Sequence, residues 1–247
     1  MGAHAQPGAQ AEELSEHLGV SAVDFNAEGP WRTLWPVALD LMSHLESMIS
    51  NAHWTFGGGT VLMLRYDHRF SKDIDLFVPD PQYLGHVNPR LGGPAEDLTS
   101  EYEVSAEFIK LYLPQGEIDV VVGAALTGDS FVIEEFRGRP VRVETSAEIL
   151  AKKMWHRGDQ AKARDLFDFC AVLEHEPEAI KIAMPFMAKH AAAFLTRLEE
   201  RADLTEAAFA AIDARSFKKS FGECFSIARD VLGPLAQAPK PRETVRP

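Results

Sequence analysis

The sequence predicts an α+β fold, in which a mixed α/β half comes first and a helical half follows. In the first half, helical patterns of apolar residues alternate with short runs that resemble β-strands. From Ala147 onwards the chain holds long helical patterns with few helix-breaking residues, so we place the change in character near residue 145. The 247 residues are 46% hydrophobic, which is enough for a sizeable core.

The same patterns divide the chain into four segments. Residues 1–12 are rich in Ala, Gly and Gln and are expected to be disordered, with a short helix following within 13–28. The final residues are proline-rich and polar, which is typical of a flexible tail. We expect an N-terminal tail with a short helix, an α/β domain, a helical domain and a flexible tail, at 1–29, 30–145, 146–236 and 237–247.

The elements of the first half follow from apolar spacing. The segment 30–50 has apolar residues at helical intervals, which predicts an amphipathic helix; these are Leu34, Val37, Leu41, Leu45 and Met48. HWTFGGG reads as a strand that runs into a glycine turn. A helix from about Thr60 to Tyr66 and a strand from about Ile74 to Val78 come next.

Further strands and helices are predicted in order. Residues 79–100 contain several prolines and indicate a loop with one helical turn. Three strand-like runs follow, YEVSAEFIKLYLP, GEIDVVVGAAL and SFVIEEF, with VRVETS as a candidate fourth, and GEIDVVVG suits a central strand because it is almost continuously apolar. Helices are predicted at 147–175, 177–199, 205–214 and 217–232.

Composition excludes several classes of protein. The formal net charge of −12 argues against strong non-specific binding of nucleic acid, although it leaves room for a local docking patch or for a small or protein substrate. There is no long uncharged apolar stretch and no secretory leader pattern, so we expect a cytoplasmic protein without a membrane partner. Cys170 and Cys224 belong to no CxxC or Cys/His cluster, which makes them ordinary thiols rather than zinc ligands.

Two carboxylates stand two residues apart in SKDIDLFV. On a strand, Asp73 and Asp75 point to the same face, where they repel each other unless a cation lies between them. Mg²⁺ prefers oxygen ligands, and enzymes of phosphoryl transfer use two such ions about 3.5–4 Å apart. The alternative is a solvated strand edge with two surface aspartates.

A third carboxylate lies in the apolar run GEIDVVVG. Asp119 is costly in a central strand unless it is paired or bound to a metal. If its strand pairs beside the strand of Asp73 and Asp75, all three carboxylates reach the same ions. The alternative places Asp119 at a strand end near solvent.

A glycine turn precedes an apolar helix. Gly58 and Gly59 let the backbone approach a ligand closely, and the free N–H groups at the helix start favour phosphate. Thr60 is placed to cap the helix or to bind a phosphate oxygen. The turn is neither a Walker P-loop nor a GxGxxG motif, and a purely structural strand-to-helix turn is the alternative.

Three polar residues come directly before the carboxylate pair. Arg69 is placed in sequence to meet a triphosphate with its planar fork. Ser71 is a candidate donor to a phosphate or to the substrate. For His68 we expect a structural role.

These residues resemble a known family. Gly58-Gly59-Thr60 followed by His68-Arg69-x-Ser71-x-Asp73-x-Asp75-Leu76-Phe77 resembles the AbiEii-type nucleotidyltransferase toxins, which include the MenT toxins and belong to the polymerase-β-like superfamily. A later block, EILAKKMWHRGDQAKARDLFDF at 148–169, resembles the family motif in which a lysine precedes Arg-Asp-x-x-Asp. Lys153 best matches that lysine, with Lys152 as the neighbouring alternative, and Arg164, Asp165 and Asp168 match the second part. The resemblance covers about residues 50–175.

The later block also makes sense without the resemblance. On a helix, Arg164 and Asp168 are i,i+4 neighbours and Asp165 and Asp168 are i,i+3 neighbours, so they share a face that can meet a nucleotide or brace Lys153. A solvated intrahelical ion pair is the alternative for this face. A basic cluster surrounds the block, formed by Lys152, Lys153, His156, Arg157, Lys162 and Arg164.

The resemblance implies both a fold and an activity. The fold is a polymerase-β-like mixed sheet with flanking helices, followed by a helical bundle. The activity is attack of an acceptor hydroxyl on the α-phosphate of a nucleoside triphosphate, with departure of pyrophosphate. Asp73 and Asp75 would hold Mg²⁺, with Mn²⁺ as an alternative ion, and Asp119 would help bind a second ion and act as general base.

The resemblance also implies partners. Toxins of this family are encoded beside an antitoxin, and some transfer nucleotides to the acceptor end of tRNA. We therefore expect an NTP substrate, a tRNA acceptor and a cognate antitoxin. A protein or small-molecule acceptor is the first alternative, and a catalytically idle nucleotide-binding module is the second.

Overall fold

The structure is a computed structural model that describes residues 19–237. The predicted disordered segment 1–12, the start of the helix predicted within 13–28, and nearly all of the predicted tail lie outside the described residues. The described part of that predicted helix, residues 19–28, consists of turns and irregular backbone rather than helix.

The first helix, α1 (Trp31–Met48), confirms the amphipathic pattern at 30–50. Its buried side chains include Trp31, Leu34 and Trp35, and the ring of Trp35 stacks on that of Phe56 at a centroid distance of 4.3 Å. Burial of such large apolar side chains is the main stabilising contribution of this helix. α1 therefore covers one face of the sheet.

The sheet has seven strands in the order β3-β4-β5-β2-β1-β7-β6. They are β1 (Thr55–Gly57), β2 (Ile74–Val78), β3 (Tyr102–Val104), β4 (Phe108–Leu113), β5 (Gly116–Val122), β6 (Phe131–Phe136) and β7 (Arg139–Glu144). β2 pairs in parallel with β5 and antiparallel with β1, so the sheet is mixed. The α+β class is confirmed.

The central strands alternate between two faces. In β2, Ile74 and Leu76 are fully buried and lie on the side of α1, whereas Asp75 and Phe77 are half-buried on the opposite side. β5 repeats the pattern, with Ile118 buried in the core. One face of the sheet thus builds the core and the other carries the carboxylates.

The connections of the first half are more ordered than predicted. α2 (Gly58–Tyr66) begins two residues earlier than expected. The segment predicted as a loop holds two 3₁₀ helices, Pro81–Val87 and Pro89–Leu91, and α3 (Pro94–Leu98), each with proline at its start. The run YEVSAEFIKLYLP forms two paired strands rather than one.

The helical half is broken at more places than predicted. Its helices are α4 (Ser146–Arg157), α5 (Ala163–His175), α6 (Pro177–Met187), α7 (Ala191–Glu200), α8 (Ala202–Ala210) and α9 (Phe221–Gln237). The single helix predicted at 147–175 is divided by a 3₁₀ turn at Gly158–Gln160 and by Ala161, whose φ of 48° ends the helix. The helix predicted at 177–199 is likewise divided at 188–190.

Two contacts tie the halves together. The side chain of Thr145 accepts a hydrogen bond from the backbone N–H of Glu148 and caps α4 directly after the last strand. The loop before β2 pairs with a later segment, since the N–H of Phe70 donates to Asp213 O and the N–H of Arg215 donates to His68 O. The division into independent domains at residue 145 stays a prediction.

Both cysteines are buried and free, as expected of ordinary thiols. Over residues 19–237, no helix combines the length and the apolar character that crossing a membrane requires.

Candidate active site

One row of residues crosses four neighbouring strands on the carboxylate face. Gly57 of β1 lies opposite Asp75 of β2, Asp75 opposite Asp119 of β5, and Asp119 opposite Lys110 of β4. Side chains that are paired across strands point to the same face. The strand pairing therefore brings Asp75 and Asp119 together, although they are far apart in sequence.

Asp75 is seated against the glycine turn. Gly58 has a φ of +74°, and a Cβ at this position would lie 1.8 Å from Asp75 Oδ2, so the close approach requires glycine. Burial raises the pKa of Asp75, and the neighbouring Asp73 adds to the rise, while Lys153 and Arg157 oppose it. Asp75 makes no ion pair with any residue in 19–237.

Asp119 lies in the middle of its strand, with 18% of its side chain exposed. Burial and the charge of Asp75 raise the pKa of Asp119 to about 7, even though Lys110 opposes the rise. Its Oδ1 atom is buried and has no hydrogen-bond partner among the described residues. One oxygen of this carboxylate is therefore free to accept a proton or a cation.

Asp73 departs from the expected geometry. It precedes β2 instead of belonging to it, and its Oδ1 accepts a hydrogen bond from the backbone N–H of Glu117 at 3.1 Å. Asp73 still lines the same cleft as Asp75 and Asp119. Asp75 therefore lies on β2, whereas Asp73 lies just before the strand begins, so the two carboxylates do not share one strand face.

The carboxylates fit a cation only in part. Over residues 19–237, Asp75 is without an ion-pair partner and Asp119 has an oxygen without a hydrogen-bond partner, so both suit a hard divalent ion. Within 19–237, however, no three acidic, His or Cys side chains are already gathered as a ready-made metal site. Oδ1 of Asp73 accepts the N–H of Glu117, which leaves its other carboxylate oxygen for an ion.

Lys110 and Glu117 are site residues that sequence reasoning did not identify. Lys110 Nζ lies 3.0 Å from Asp119 Oδ2 and 2.7 Å from Glu117 Oε2. Burial lowers the pKa of Lys110, but the two carboxylates raise it by more, so Lys110 stays charged. The only sequence signal for Lys110 was its position in the alternating strand that precedes the strand of Asp119.

Thr60 lies beneath the cleft rather than in it. It is fully buried, and its hydroxyl donates to the backbone oxygen of Asp73 at 2.5 Å and lies 3.0 Å from Ser71 Oγ. Since Gly57 occupies the cap position, Thr60 does not cap α2, and its hydroxyl donates to the backbone instead. It holds the Asp73 loop, while Gly58, Gly59 and Ser71 line the cleft.

Asp168 is the centre of a buried charge cluster. It accepts from Arg69 Nε at 2.6 Å and from Arg69 Nη2 at 2.9 Å, from His68 Nε2 at 2.8 Å, and it lies 3.0 Å from Lys153 Nζ. Burial by itself would raise the pKa of Asp168, but Arg69 and Lys153 hold it well below the usual range. In this structure Asp168 accepts from two donors of the Arg69 fork, and contact of Arg69 with a triphosphate stays a prediction.

Asp165 joins the cluster to the cleft. It accepts from Lys153 Nζ at 2.9 Å and is held bidentately by Arg157 at 2.7 and 2.9 Å. In the sequence, Arg157 was only one member of a basic cluster. In the structure, its charge is close enough to Asp75 to oppose the rise in the pKa of Asp75. Lys153 is thus oriented by Asp165 and Asp168 together.

Lys152 and Lys153 form ion pairs with different carboxylates. Lys152 Nζ lies 2.5 Å from Glu144 Oε1 and 4.0 Å from the centre of the Phe77 ring. Glu144 is fully buried beside Gly57, and burial raises its pKa even though Lys152 lowers it. Lys153, not Lys152, therefore belongs to the cluster with Asp165 and Asp168.

A cleft of about 830 Å³ lies between the sheet and the helical half, and its lining includes Asp73, Asp75, Asp119, Lys110 and Lys153. Arg164 is exposed at its edge and, among the described residues, forms no ion pair with Asp168, so the alternative of an intrahelical ion pair is not seen there. The helical half adds cations that sequence reasoning missed, Arg197 and Arg201.

No curated protein matched the chain. A solved structure titled as the STING-associated CdnE c-di-GMP synthase from Capnocytophaga granulosa is similar over 84% of this chain and 80% of that chain, with 10% identity and a TM-score of 0.29, a value that supports no conclusion about this chain. The family model described as nucleotidyl transferase AbiEii toxin, type IV toxin–antitoxin system, matches residues 40–243. Because this match spans most of the sequence, the chain belongs to the AbiEii nucleotidyltransferase toxin family.

Proposed function

We propose that the protein transfers a nucleoside monophosphate from a nucleoside triphosphate to an acceptor hydroxyl, with a divalent ion required. The observation that carries the proposal is the register of Asp75 with Asp119 beside Gly58 at the start of α2. This arrangement gathers negative side chains next to a helix N-terminus, where backbone N–H groups favour phosphate. A cation is needed to hold the carboxylates and the phosphates of the substrate next to each other.

Asp73, Asp75 and Asp119 would hold Mg²⁺, or Mn²⁺ in its place. When bound, the ion would supply positive charge that orients the triphosphate and stabilises the reacting α-phosphate. Within residues 19–237 no cation forms an ion pair with Asp75, and this favours the assignment.

The residues of the chain divide the remaining work. Oδ1 of Asp119 takes the proton of the acceptor hydroxyl, the hydroxyl oxygen forms a bond to the α-phosphorus, and the bond to the β-phosphate oxygen breaks. Pyrophosphate leaves with the electron pair. Lys153 and Arg157, which lie on the side of Asp75, balance the charge of the leaving phosphates.

RNA, and tRNA in particular, is the acceptor that we favour. The family is one of toxins, which supports a cognate antitoxin as a partner. Although the chain is acidic overall, basic side chains line the helical wall of the cleft: Lys162, Arg164, Arg197 and Arg201. Dependence on nucleoside triphosphates fits action in the cytoplasm.

The test is transfer of label. The purified protein is incubated with Mg²⁺, total tRNA and each α-³²P-labelled nucleoside triphosphate in turn, and Asp75→Asn serves as the inactive control. Label on tRNA with the wild type but not with the variant supports the proposal and names the nucleotide.

Other outcomes separate the alternatives. Metal-dependent binding of a triphosphate without label on tRNA redirects the search to protein or small-molecule acceptors. No metal-dependent binding of any triphosphate would reject the enzyme and leave an idle module.

A further inference from the structure

Lys110 sits where the carboxylate row ends. It lies directly opposite Asp119 in the antiparallel pairing of β4 with β5, so both side chains rise from the same face. Its ammonium bridges Asp119 Oδ2 at 3.0 Å and Glu117 Oε2 at 2.7 Å. A quarter of the Lys110 side chain is exposed, and it lines the cleft, so it faces the reacting groups.

The two central carboxylates differ in their partners. Among the described residues, Lys110 is the one cation within ion-pair distance of Asp119, and none is within that distance of Asp75. Among residues 19–237, Asp75 therefore lacks a directly paired cation, whereas Asp119 has one. A second divalent ion on Asp119 would meet the ammonium at close range and be repelled.

We propose that Lys110 takes the place of a second divalent ion, so that the centre holds one divalent ion, on Asp73 and Asp75, with the ammonium of Lys110 fixed on Asp119. This inference rests on the proposed function and replaces the expectation of two ions. Lys110 supplies positive charge beside the acceptor hydroxyl, while Oδ1 of Asp119 remains open to take its proton. Lys110 then stabilises the oxygen as negative charge develops on it.

Counting bound ions tests the inference directly. The full-length protein is mixed with α,β-methylene analogues of the four nucleoside triphosphates. Mn²⁺ is then titrated in until it exceeds the analogues, and free Mn²⁺ is read from its electron paramagnetic resonance signal. We expect one Mn²⁺ per complex for the wild type. Two ions per wild-type complex would overturn the inference without the use of any variant.

Variants sharpen the count. Lys110→Met removes the ammonium and is expected to admit a second Mn²⁺, whereas Lys110→Arg keeps the charge and should still bind one. Lys181→Met is the matched control, because Lys181 forms an exposed pair with Glu178 away from the cleft, and it should also bind one. A Lys110→Met protein that binds a single ion would contradict the inference.

The inference and the proposed function fail in different ways. If the wild type binds no Mn²⁺ beyond what Asp75→Asn binds, the metal-dependent function itself fails. If Asp75→Asn loses binding but the wild type holds two ions, the function stands and only the role of Lys110 is rejected.

Discussion

Asp75 and Asp119 lie directly opposite each other on adjacent parallel strands, with an unpartnered oxygen on Asp119 and no ion-pair partner for Asp75 among the described residues. Two carboxylates held side by side on rigid strands destabilise the protein unless a cation joins them. Within residues 19–237, Lys110 forms an ion pair with Asp119, whereas Lys153 and Arg157 act on Asp75 without ion-pair contact. The relationship links the stability of the protein to its proposed chemistry.

Asp75→Asn should raise stability while abolishing activity. Burial and Asp73 raise the pKa of Asp75, so its ionised form is unfavourable in the fold at neutral pH, and the amide removes that cost. We expect the Tm of the metal-free protein to rise by about 2–4 °C, since roughly 1 kcal/mol gives such a shift in a chain of this size. Nucleotide transfer should fall at least about 100-fold, because an ion contributes several kcal/mol to the transition state.

Differential scanning calorimetry and the labelling assay check this prediction. Asp40→Asn, at an exposed position of α1, is the control and should alter neither quantity. A loss of stability in Asp75→Asn would mean that its charge is already compensated in the fold.

Gly58→Ala should disable the site, whereas Gly138→Ala should not. Both glycines have positive φ, +74° and +80°, so alanine costs about 1–2 kcal/mol of backbone strain at either position. Only at Gly58 does the new Cβ meet Asp75, at 1.8 Å, and at Gly138 nothing lies within 4 Å. We expect transfer to fall at least about 100-fold in Gly58→Ala, since displacement of a reacting group by about 1 Å has that effect.

Urea unfolding and the transfer assay, run on both glycine variants, separate strain from steric conflict. Equal activity in the two variants would show that the contact between Gly58 and Asp75 does not position the site.

Asp168→Asn should strongly destabilise the protein. Asp168 is fully buried and neutralises Arg69 and Lys153, and the amide would turn a donor towards one of these cations. Removal of one partner from a buried charge cluster costs about 3–5 kcal/mol. Urea unfolding measures the loss, with Asp40→Asn again as control, and a loss below about 1 kcal/mol would contradict the assigned role.

The effect of Asp168 on stability should depend on pH in a defined direction. Arg69 and Lys153 hold the pKa of Asp168 well below the usual range of an aspartate, so its ionised form stabilises the fold above that range, and the contribution is lost as the pH falls through the lower, folded pKa. The difference in free energy of unfolding between wild type and Asp168→Asn should be constant near neutrality and shrink below about pH 4. Urea titrations across that range test the prediction, and a constant difference would refute it.

Lys153→Met and Lys152→Met should fail in different ways. Without Lys153, Asp165 and Asp168 keep Arg157 and Arg69 as partners, so we expect a modest loss of stability and at least about a 100-fold loss of transfer. Without Lys152, the buried Glu144 loses its ion pair, which costs about 3–5 kcal/mol of stability. Thermal unfolding and single-turnover transfer distinguish the two, and the opposite pattern would assign the catalytic lysine to position 152.

Much of the fold follows from local patterns. The period of apolar residues predicted α1 and the strand Ile74–Val78, because a helix or a strand must turn its apolar side chains to one face. Helix ends were less predictable. The division at Gly158–Gln160 depends on Ala161 adopting a left-handed conformation, which propensity disfavours and tertiary contacts impose.

The sequence by itself determined which residues could bear charge and which elements carry them, including the three aspartates and Lys153, since spacing and residue type are local properties. Only the tertiary structure decided which charges meet. Strand register placed Lys110 on Asp119, and the packing of α5 against the loop before β2 gave the fork of Arg69 to Asp168. The first pair depends on the register of one hairpin, and the second joins residues 99 positions apart, so the spacing of residue types alone fixes neither.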